Sequence, residues 1–260
     1  MSTIWGNHTI NENRSLFIQL GDLRIWGRLV DAEVLLTYDI SQTVGYSADE
    51  PPSKAIWQRW RLDAPEAELT LAPAFPARPL VIDPQTALRL PATESLVIYP
   101  KVPVWVRVIS PQLDPATLLE LPTRILSNTW FGDFTSGDLC YHVSSKARST
   151  PKNDPDETNM VMAPVRISNE SDSMLNIDKF CLRVGLLNIY GSGNELWTDE
   201  SWLVFRGSNS DSQYDVISES NILPGDRQVL ATAKDPLKKR TTGKSIATFK
   251  DLPGVGISIS

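Results

Sequence analysis

The stretch Ser15-Leu-Phe-Ile-Gln-Leu-Gly-Asp-Leu-Arg-Ile-Trp-Gly-Arg-Leu-Val30 decides the fold class, because it contains two strand-like runs joined by a short turn. In the second run, Leu23–Val30, successive residues alternate between two sets, which is the period of a pleated strand. Gly21-Asp22 is typical of a two-residue hairpin turn. The stretch therefore predicts two neighbouring antiparallel strands.

Short runs of the same kind recur along the chain and are bounded by Gly, Pro, Asp or Asn. Ten prolines between positions 51 and 103 leave little room for long helices. Together these features predict an all-β protein of antiparallel sheets, arranged as a β-sandwich. Besides the opening stretch, the main runs are 33–38, 56–62, 68–71, 80–82, 87–90, 95–99, 103–109, 138–143, 161–168, 175–177, 180–190, 201–205 and 214–217.

One short helix is predicted where the sequence reads Asp114-Pro-Ala-Thr-Leu-Leu-Glu-Leu121. Asp114 suits an N-cap, and Pro115 suits the first helical position, where its missing N–H costs nothing. Pro122 would end the helix after about two turns. Because this helix separates two strand-rich halves, we expect an N-terminal β domain over 1–112 and a C-terminal β domain over 113–260.

Composition narrows the classes of partner and compartment. The chain has 260 residues, with 25 Lys and Arg against 31 Asp and Glu, which argues against duplex nucleic acid as the main partner. No apolar run approaches the ~20 residues of a membrane-spanning helix. Residues 1–13 lack the features of a secretory signal, so we expect Cys140 and Cys181 to be reduced thiols in a cytoplasmic protein.

Familiar catalytic motifs are missing from the sequence. It contains no HExxH, GxSxG, Walker or GxGxxG pattern, and its two histidines are His8 and His142. The four Cys and His residues are too scattered for a structural zinc site. We therefore expect no metal and no cofactor, and the sequence favours a protein that is not an enzyme.

Tryptophan and arginine share strand parity in three of the predicted strands. If these strands are neighbours, their indoles and guanidinium groups would stack through cation–π contacts. Such a face is either a structural ladder that covers one side of a sheet, or a recognition surface for an acidic protein, a sugar or a single-stranded polymer. Of these ligands a protein is favoured, since Trp and Arg are common interface anchors. The candidate partner-binding residues are Arg24, Trp26, Arg28, Trp57, Arg59, Arg61, Trp105 and Arg107.

A second constellation occupies the segment 129–142, which is dense in aromatic and polar residues. It predicts either a hairpin or Ω-like loop folded over its own aromatics, or a ligand pocket. The pocket would give an alternative function as an enzyme or as a binder of small ligands or carbohydrates. Its candidate residues are Trp130, Asp133, Asp138, Tyr141 and His142.

Several motifs together resemble the prokaryotic domain of unknown function family 432 over nearly the whole chain. They are Trp5-Gly6, Ile25-Trp26, Val102-Pro-Val-Trp-Val-Arg107, Leu126-Ser-Asn-Thr-Trp-Phe-Gly-Asp133 with Ser136-Gly-Asp-Leu-Cys-Tyr141, and Leu196-Trp197. The resemblance implies no activity and no catalytic residues. It does imply a membrane-protein partner, because members tend to be encoded near mechanosensitive-type channels.

From these observations the leading hypothesis is a cytoplasmic, non-enzymatic β-sheet interaction protein. Its Trp/Arg face would bind a protein partner, such as a membrane-channel subunit, or a second copy of the chain.

Overall fold

A computed structural model describes residues 4–41, 50–132, 137–152, 157–207 and 213–236. These residues form short strands and one 3-10 turn, Val184–Leu186, so the predicted all-β class is confirmed. The first twelve strands are β1 Gly6–Asn11, β2 Leu16–Leu20, β3 Leu23–Val30, β4 Glu33–Ile40, β5 Gln58–Arg61, β6 Glu66–Ala74, β7 Leu80–Pro84, β8 Leu88–Leu90, β9 Ser95–Ile98, β10 Lys101–Pro103, β11 Trp105–Ile109 and β12 Thr117–Pro122. The others are β13 Asn128–Phe131, β14 Asp138–Ser145, β15 Met160–Met162, β16 Val165–Asn169, β17 Leu175–Ile177, β18 Phe180–Leu182, β19 Ile189–Ser192, β20 Glu195–Thr198, β21 Glu200–Phe205, β22 Gln213–Ile217 and β23 Gln228–Ala231.

The chain groups into two compact units, each built from several segments. The first comprises Met1–Ala74, Pro103–Ile125 and Glu157–Asn159, and the second comprises Phe75–Val102, Leu126–Asp156 and Met160–Ser260. Such a grouping does not define segments that fold alone, so the predicted domains 1–112 and 113–260 remain a prediction.

The first unit contains two four-stranded antiparallel sheets, ordered β1-β6-β11-β12 and β2-β3-β4-β5. One face of each sheet supplies apolar side chains to a common core, as in a β-sandwich. Alternation explains this arrangement, because every second residue of a strand points to the same side. The buried core residues are Ile10, Leu16, Leu20, Leu23, Ile25, Leu29, Val34, Leu36, Leu62, Ala67, Leu69, Leu71, Val106, Val108, Leu118, Leu119 and Leu121.

The predicted hairpin turn at Gly21-Asp22 joins β2 to β3, whose ends pair at Leu20 and Leu23. Gly21 has a φ of +58°, and a Cβ atom there would lie 2.7 Å from the carbonyl oxygen of Thr123. The Asp22 N–H donates to that same oxygen over 2.9 Å. Glycine is therefore required both by the backbone conformation and by close packing.

The predicted helix at 114–121 is wrong, because residues Thr117–Pro122 form strand β12. Leu119 lies opposite Val108 of β11, and Leu121 lies opposite Val106. These leucines are buried in the core of the first unit, so strand pairing and burial outweigh the local capping signal.

The second unit mixes parallel and antiparallel strands. Its larger sheets are ordered β10-β15-β20-β19-β23, β13-β14-β7-β18 and β22-β21-β16-β9, and β17 pairs with β8. Among the described strands, three pairs are parallel: β14 with β7, β15 with β20, and β16 with β21. Residues on both faces of β7 are buried, among them Leu80, Val81 and Ile82.

The β3–β4 turn gives a test of backbone strain. Asp31 and Ala32 have φ values of +50° and +59°, although neither is glycine. Replacing Ala32 with Gly creates the Asp-Gly pair that tight hairpin turns favour. We expect Ala32→Gly to stabilise the protein by about 1 kcal/mol in urea unfolding, because it removes the left-handed penalty.

The matched control is Ala116→Gly, at an exposed residue of the same unit that does not have a positive φ. It should destabilise the protein by roughly 0.5–1 kcal/mol through chain entropy. Equal effects of the two glycines would contradict the strain at Ala32.

Candidate functional site

The outer side of sheet β2-β3-β4-β5 carries most of the predicted Trp and Arg residues. We name this surface the arginine–tryptophan face. Register places Arg28 of β3 opposite Leu35 of β4, and Leu35 opposite Arg59 of β5. The side chains of Arg28 and Arg59 therefore lie on the same side of the sheet. The face consists of Arg24, Trp26, Arg28, Trp57, Arg59 and Arg61.

Arg28 and Trp57 form the centre of the exposed part of this face. The guanidinium carbon of Arg28 lies 4.1 Å from the centroid of the Trp57 ring, which is a cation–π contact. The hydroxyl of Thr37 on β4 donates to the carbonyl oxygen of Ile56 over 2.9 Å. This bond ties the chain preceding Trp57 to the sheet and so helps to position the indole.

Within the part of the chain that the structure describes, the remaining arginines of the exposed part pair with acids at the surface. The side chains of Arg59 and Arg61 are 67% and 70% exposed. Arg59 lies 3.7 Å from Glu33, and Arg61 lies 3.1 Å from Asp63. Exposed ion pairs of this kind contribute at most about 1 kcal/mol, so both guanidinium groups can exchange partners at low cost.

The other end of the face is buried. Trp26 is 5% exposed and packs against Phe17, with 5.6 Å between ring centroids. Arg24 is 7% exposed, and its Nη1 lies 3.7 Å from Oδ2 of Asp39. The arginine–tryptophan face is thus buried and structural at the end of Arg24 and Trp26, and accessible at the end of Arg59 and Arg61.

Trp105 and Arg107 are not part of this face. They lie on β11 in the opposite sheet of the first unit, where Val106 and Val108 take the core side. Arg107 donates two hydrogen bonds to Oε2 of Glu120, from Nε over 3.0 Å and from Nη2 over 2.8 Å. The alternation of residues predicted which side chains of β11 share a face with Trp105, but it did not predict which strands lie next to each other.

The structure places the described residues of the predicted pocket on two sides of one hairpin. On the β13–β14 hairpin, register places Trp130 and Tyr141 on one side and Asp138 and His142 on the other. Asp138 accepts a bond from Arg183 over 3.2 Å, and Nε2 of His142 lies 3.3 Å from Asp83. Asp133 lies outside the described residues.

Sequence reasoning missed two buried acids in the second unit. Asp199 accepts a hydrogen bond from the hydroxyl of Tyr190 over 2.6 Å, and burial together with this bond raises the pKa of Tyr190. Glu200 accepts bonds from Nε of Arg166 over 2.6 Å and from the hydroxyl of Ser220. Both carboxylates therefore already accept hydrogen bonds from other side chains of the protein.

The signal for these acids was the run Trp197-Thr-Asp-Glu-Ser-Trp202, in which polar residues lie between tryptophans. Asp199 and Glu200 fall at the junction of β20 and β21, and residues 198–201 are all buried. Sequence alone does not supply the partners of Glu200, because Arg166 and Ser220 are distant in the chain.

Cys140 and Cys181 are free, buried thiols that are hydrogen-bonded to each other. The hydrogen bond from Cys181 lowers the pKa of the Cys140 thiol, whereas burial acts in the opposite direction. The same bond, together with burial, raises the pKa of Cys181 well above its usual value. Neither sulfur is exposed to a ligand in solution.

Metal-binding groups and membrane-spanning helices were sought in the described ranges. These ranges hold no group of three or more His, Cys, Asp or Glu side chains placed to bind a metal ion together. They also hold no helix with the length and apolar character needed to cross a bilayer.

Comparison with known proteins gave one match. A family model described as "Protein of unknown function (DUF432)" matches residues 4–250. No curated protein and no solved structure matches the chain.

Tyr214 of β22 gives a test of the buried polar network in the second unit. Its hydroxyl lies 2.8 Å from the hydroxyl of Ser201 and accepts a bond from the Arg183 N–H over 3.3 Å. Burial is the main cause that raises the pKa of Tyr214 well above its usual value. The phenol therefore stabilises the fold fully below pH ~10, and this contribution is lost as the pH rises further.

We expect Tyr214→Phe to be less stable than the wild type at pH 8, since it leaves hydrogen-bonding groups without the phenol. Above pH ~10 the difference should shrink by about 1.4 kcal/mol per pH unit. Urea unfolding from pH 8 to 11 measures it, and absorbance at 295 nm follows phenol ionisation. A difference independent of pH would contradict the raised pKa.

Proposed function

Because the chain belongs to the DUF432 family, whose description assigns no activity, we propose a function from the geometry alone: a non-enzymatic interaction protein that binds an acidic segment of a protein partner. The observation that carries the proposal is the stacked Arg28–Trp57 pair, flanked by the exposed guanidinium groups of Arg59 and Arg61. Tryptophan and arginine are the residue types that most often anchor protein interfaces.

Stacking prepares this surface for binding. With its guanidinium over the Trp57 ring, Arg28 loses less side-chain entropy on association than a free arginine would. Ile56, which is 85% exposed, adds apolar area next to the indole. A partner that covers both residues would gain apolar burial and charge-assisted hydrogen bonds together.

Charge favours an acidic partner over a second copy of the chain. A two-fold dimer through this face would place arginines against arginines, which like-charge repulsion opposes. Self-association through this face is therefore the less favoured outcome.

The proposal places the protein in the cytoplasm, where free thiols such as Cys140 and Cys181 stay reduced. The acidic segment would then belong to a cytoplasmic protein or to the cytoplasmic part of a membrane protein, such as a channel subunit. Arginine forks recognise carboxylates in either setting.

The test removes the anchors and measures association. We expect the double variant Trp57→Ala/Arg59→Ala to fold normally, because both side chains lie on the outer face. Partner capture from cell extract, quantified by mass spectrometry, should fall at least tenfold, since anchor residues often contribute about 2 kcal/mol each. Sedimentation of the pure protein would report any change in self-association.

Two variants serve as controls. Arg14→Ala removes an exposed arginine of the same unit outside this face and should leave capture unchanged. Trp130→Ala removes a 43% exposed tryptophan of the predicted pocket hairpin. Capture that depends on Trp130 but not on Trp57 and Arg59 would overturn the proposal.

A further inference from the structure

We propose that the partner binds by adding a strand to the side of β5 that faces away from β4, with two acids of an extended segment opposite Arg59 and Arg61. We name this side of the strand the β5 edge. The inference rests on the proposed function and names how the acidic segment of that proposal is held. It follows from the backbone groups at the β5 edge and from the charge of the side chains beside them.

Strand β5 is the last strand of its sheet within the described ranges. Strand β4 pairs with it on one side, and no described strand pairs with it on the other. Gln58, Arg59 and Arg61 are exposed, and the side chains of the two arginines are 67% and 70% exposed. An incoming segment therefore meets side chains that solvent already reaches.

The hydrogen-bond pattern between β4 and β5 decides which backbone groups point to the β5 edge. The N–H of Leu62, directly after β5, donates to the carbonyl oxygen of Ala32 over 2.8 Å. In an antiparallel ladder, pairs that exchange hydrogen bonds alternate with pairs that exchange none. Trp60 therefore bonds to β4, whereas the N–H and C=O groups of Arg59 and Arg61 point away from β4.

These four backbone groups can hold an added antiparallel strand, because each arginine can exchange two main-chain hydrogen bonds with the residue opposite it. Directly opposite residues of neighbouring strands point to the same side of the sheet. The partner residues opposite Arg59 and Arg61 thus lie beside the guanidinium groups, two positions apart in the segment. An acid at each of these positions forms a cross-strand ion pair.

The partner residue between the two acids lies on the other side of the sheet, next to Trp60. Trp60 is partly buried and packs against the core of the first unit. An apolar side chain beside it extends this core at the edge of the sandwich, and its burial favours binding. The β5 edge therefore favours an extended segment in which an apolar residue separates two acids.

Charge favours an acidic segment over a second copy of the chain at this edge. Two copies that pair through β5 place arginines opposite arginines, which destabilises the pairing. Glu33 and Asp63 already pair with Arg59 and Arg61, but exposed ion pairs are weak, so an incoming acid replaces them at little cost. Strand β2, at the other end of the same sheet, has no charged residue and offers an acid no counter-charge.

The experiment titrates the full chain with end-capped synthetic peptides of seven residues at low salt, followed by tryptophan fluorescence. The reference peptide has glutamate, valine and glutamate at its centre and threonines elsewhere. It should bind about fivefold more tightly than a peptide with glutamines in place of the glutamates, because two surface ion pairs are lost. Arg59→Gln/Arg61→Gln should remove this preference, whereas Arg14→Gln should keep it.

Methylation of single peptide nitrogens separates strand addition from charge attraction. A methyl group on the amide nitrogen of either glutamate blocks a main-chain bond to the β5 edge and should weaken binding about tenfold. A methyl group on the valine nitrogen is the matched control, because that N–H points away from β5, and binding should be unchanged.

Amide hydrogen exchange, measured by NMR, locates the added strand on the protein. Exchange should slow at Arg59 and Arg61 when the reference peptide is bound. It should change far less at Trp60, because the amide of Trp60 already bonds to β4.

Strand addition is overturned if the wild type does not prefer the glutamate peptide, if methylated glutamates bind like the reference, or if bound peptide leaves exchange at Arg59 and Arg61 unchanged. The proposed function has a separate outcome. If Trp57→Ala/Arg59→Ala loses partner capture while methylated glutamates bind normally, the face binds an acidic partner without adding a strand. Unchanged capture by that double variant would overturn the proposed function and this inference with it.

Discussion

The alternation of side chains along each strand is the constraint on which the first unit depends. Once Leu23, Ile25 and Leu29 fill the core, the residues between them must face outwards. The chain places arginine and tryptophan at those outward positions, and adjoining strands bring them into contact. The same rule applied to β11 sends Trp105 and Arg107 to the far side of the sandwich.

Fold class and strand faces could be predicted from the sequence, because both are local. The run Leu23–Val30 is β3 in full, and Gly21-Asp22 is the turn that precedes it. Strand neighbours are not local, so nothing in the sequence separates Trp105 from Trp57. The helix predicted at Asp114 was wrong because a capping signal contributes about 1 kcal/mol, less than the burial of two leucines against β11.

The candidate site was predictable only in part. Arg28 and Trp57 are brought together as period two and strand adjacency would require, and Arg59 shares their side of the sheet. That Arg24 is buried was not predictable, since burial depends on what covers the sheet. Closeness along the chain did not predict shared contacts for Asp138 and His142. They lie on the same side of β14, but Asp138 binds Arg183 and His142 contacts Asp83.

The connectivity of the first unit bears on how the chain folds as it leaves the ribosome. Strand β11 pairs on one side with β6 and on the other with β12, and Asn159 packs at the Gly21 turn. A nascent chain that stops at residue 112 would leave β11 as an open edge, exposed to pairing with other chains. Completion of the sandwich therefore waits for synthesis of residues that follow a stretch of the second unit.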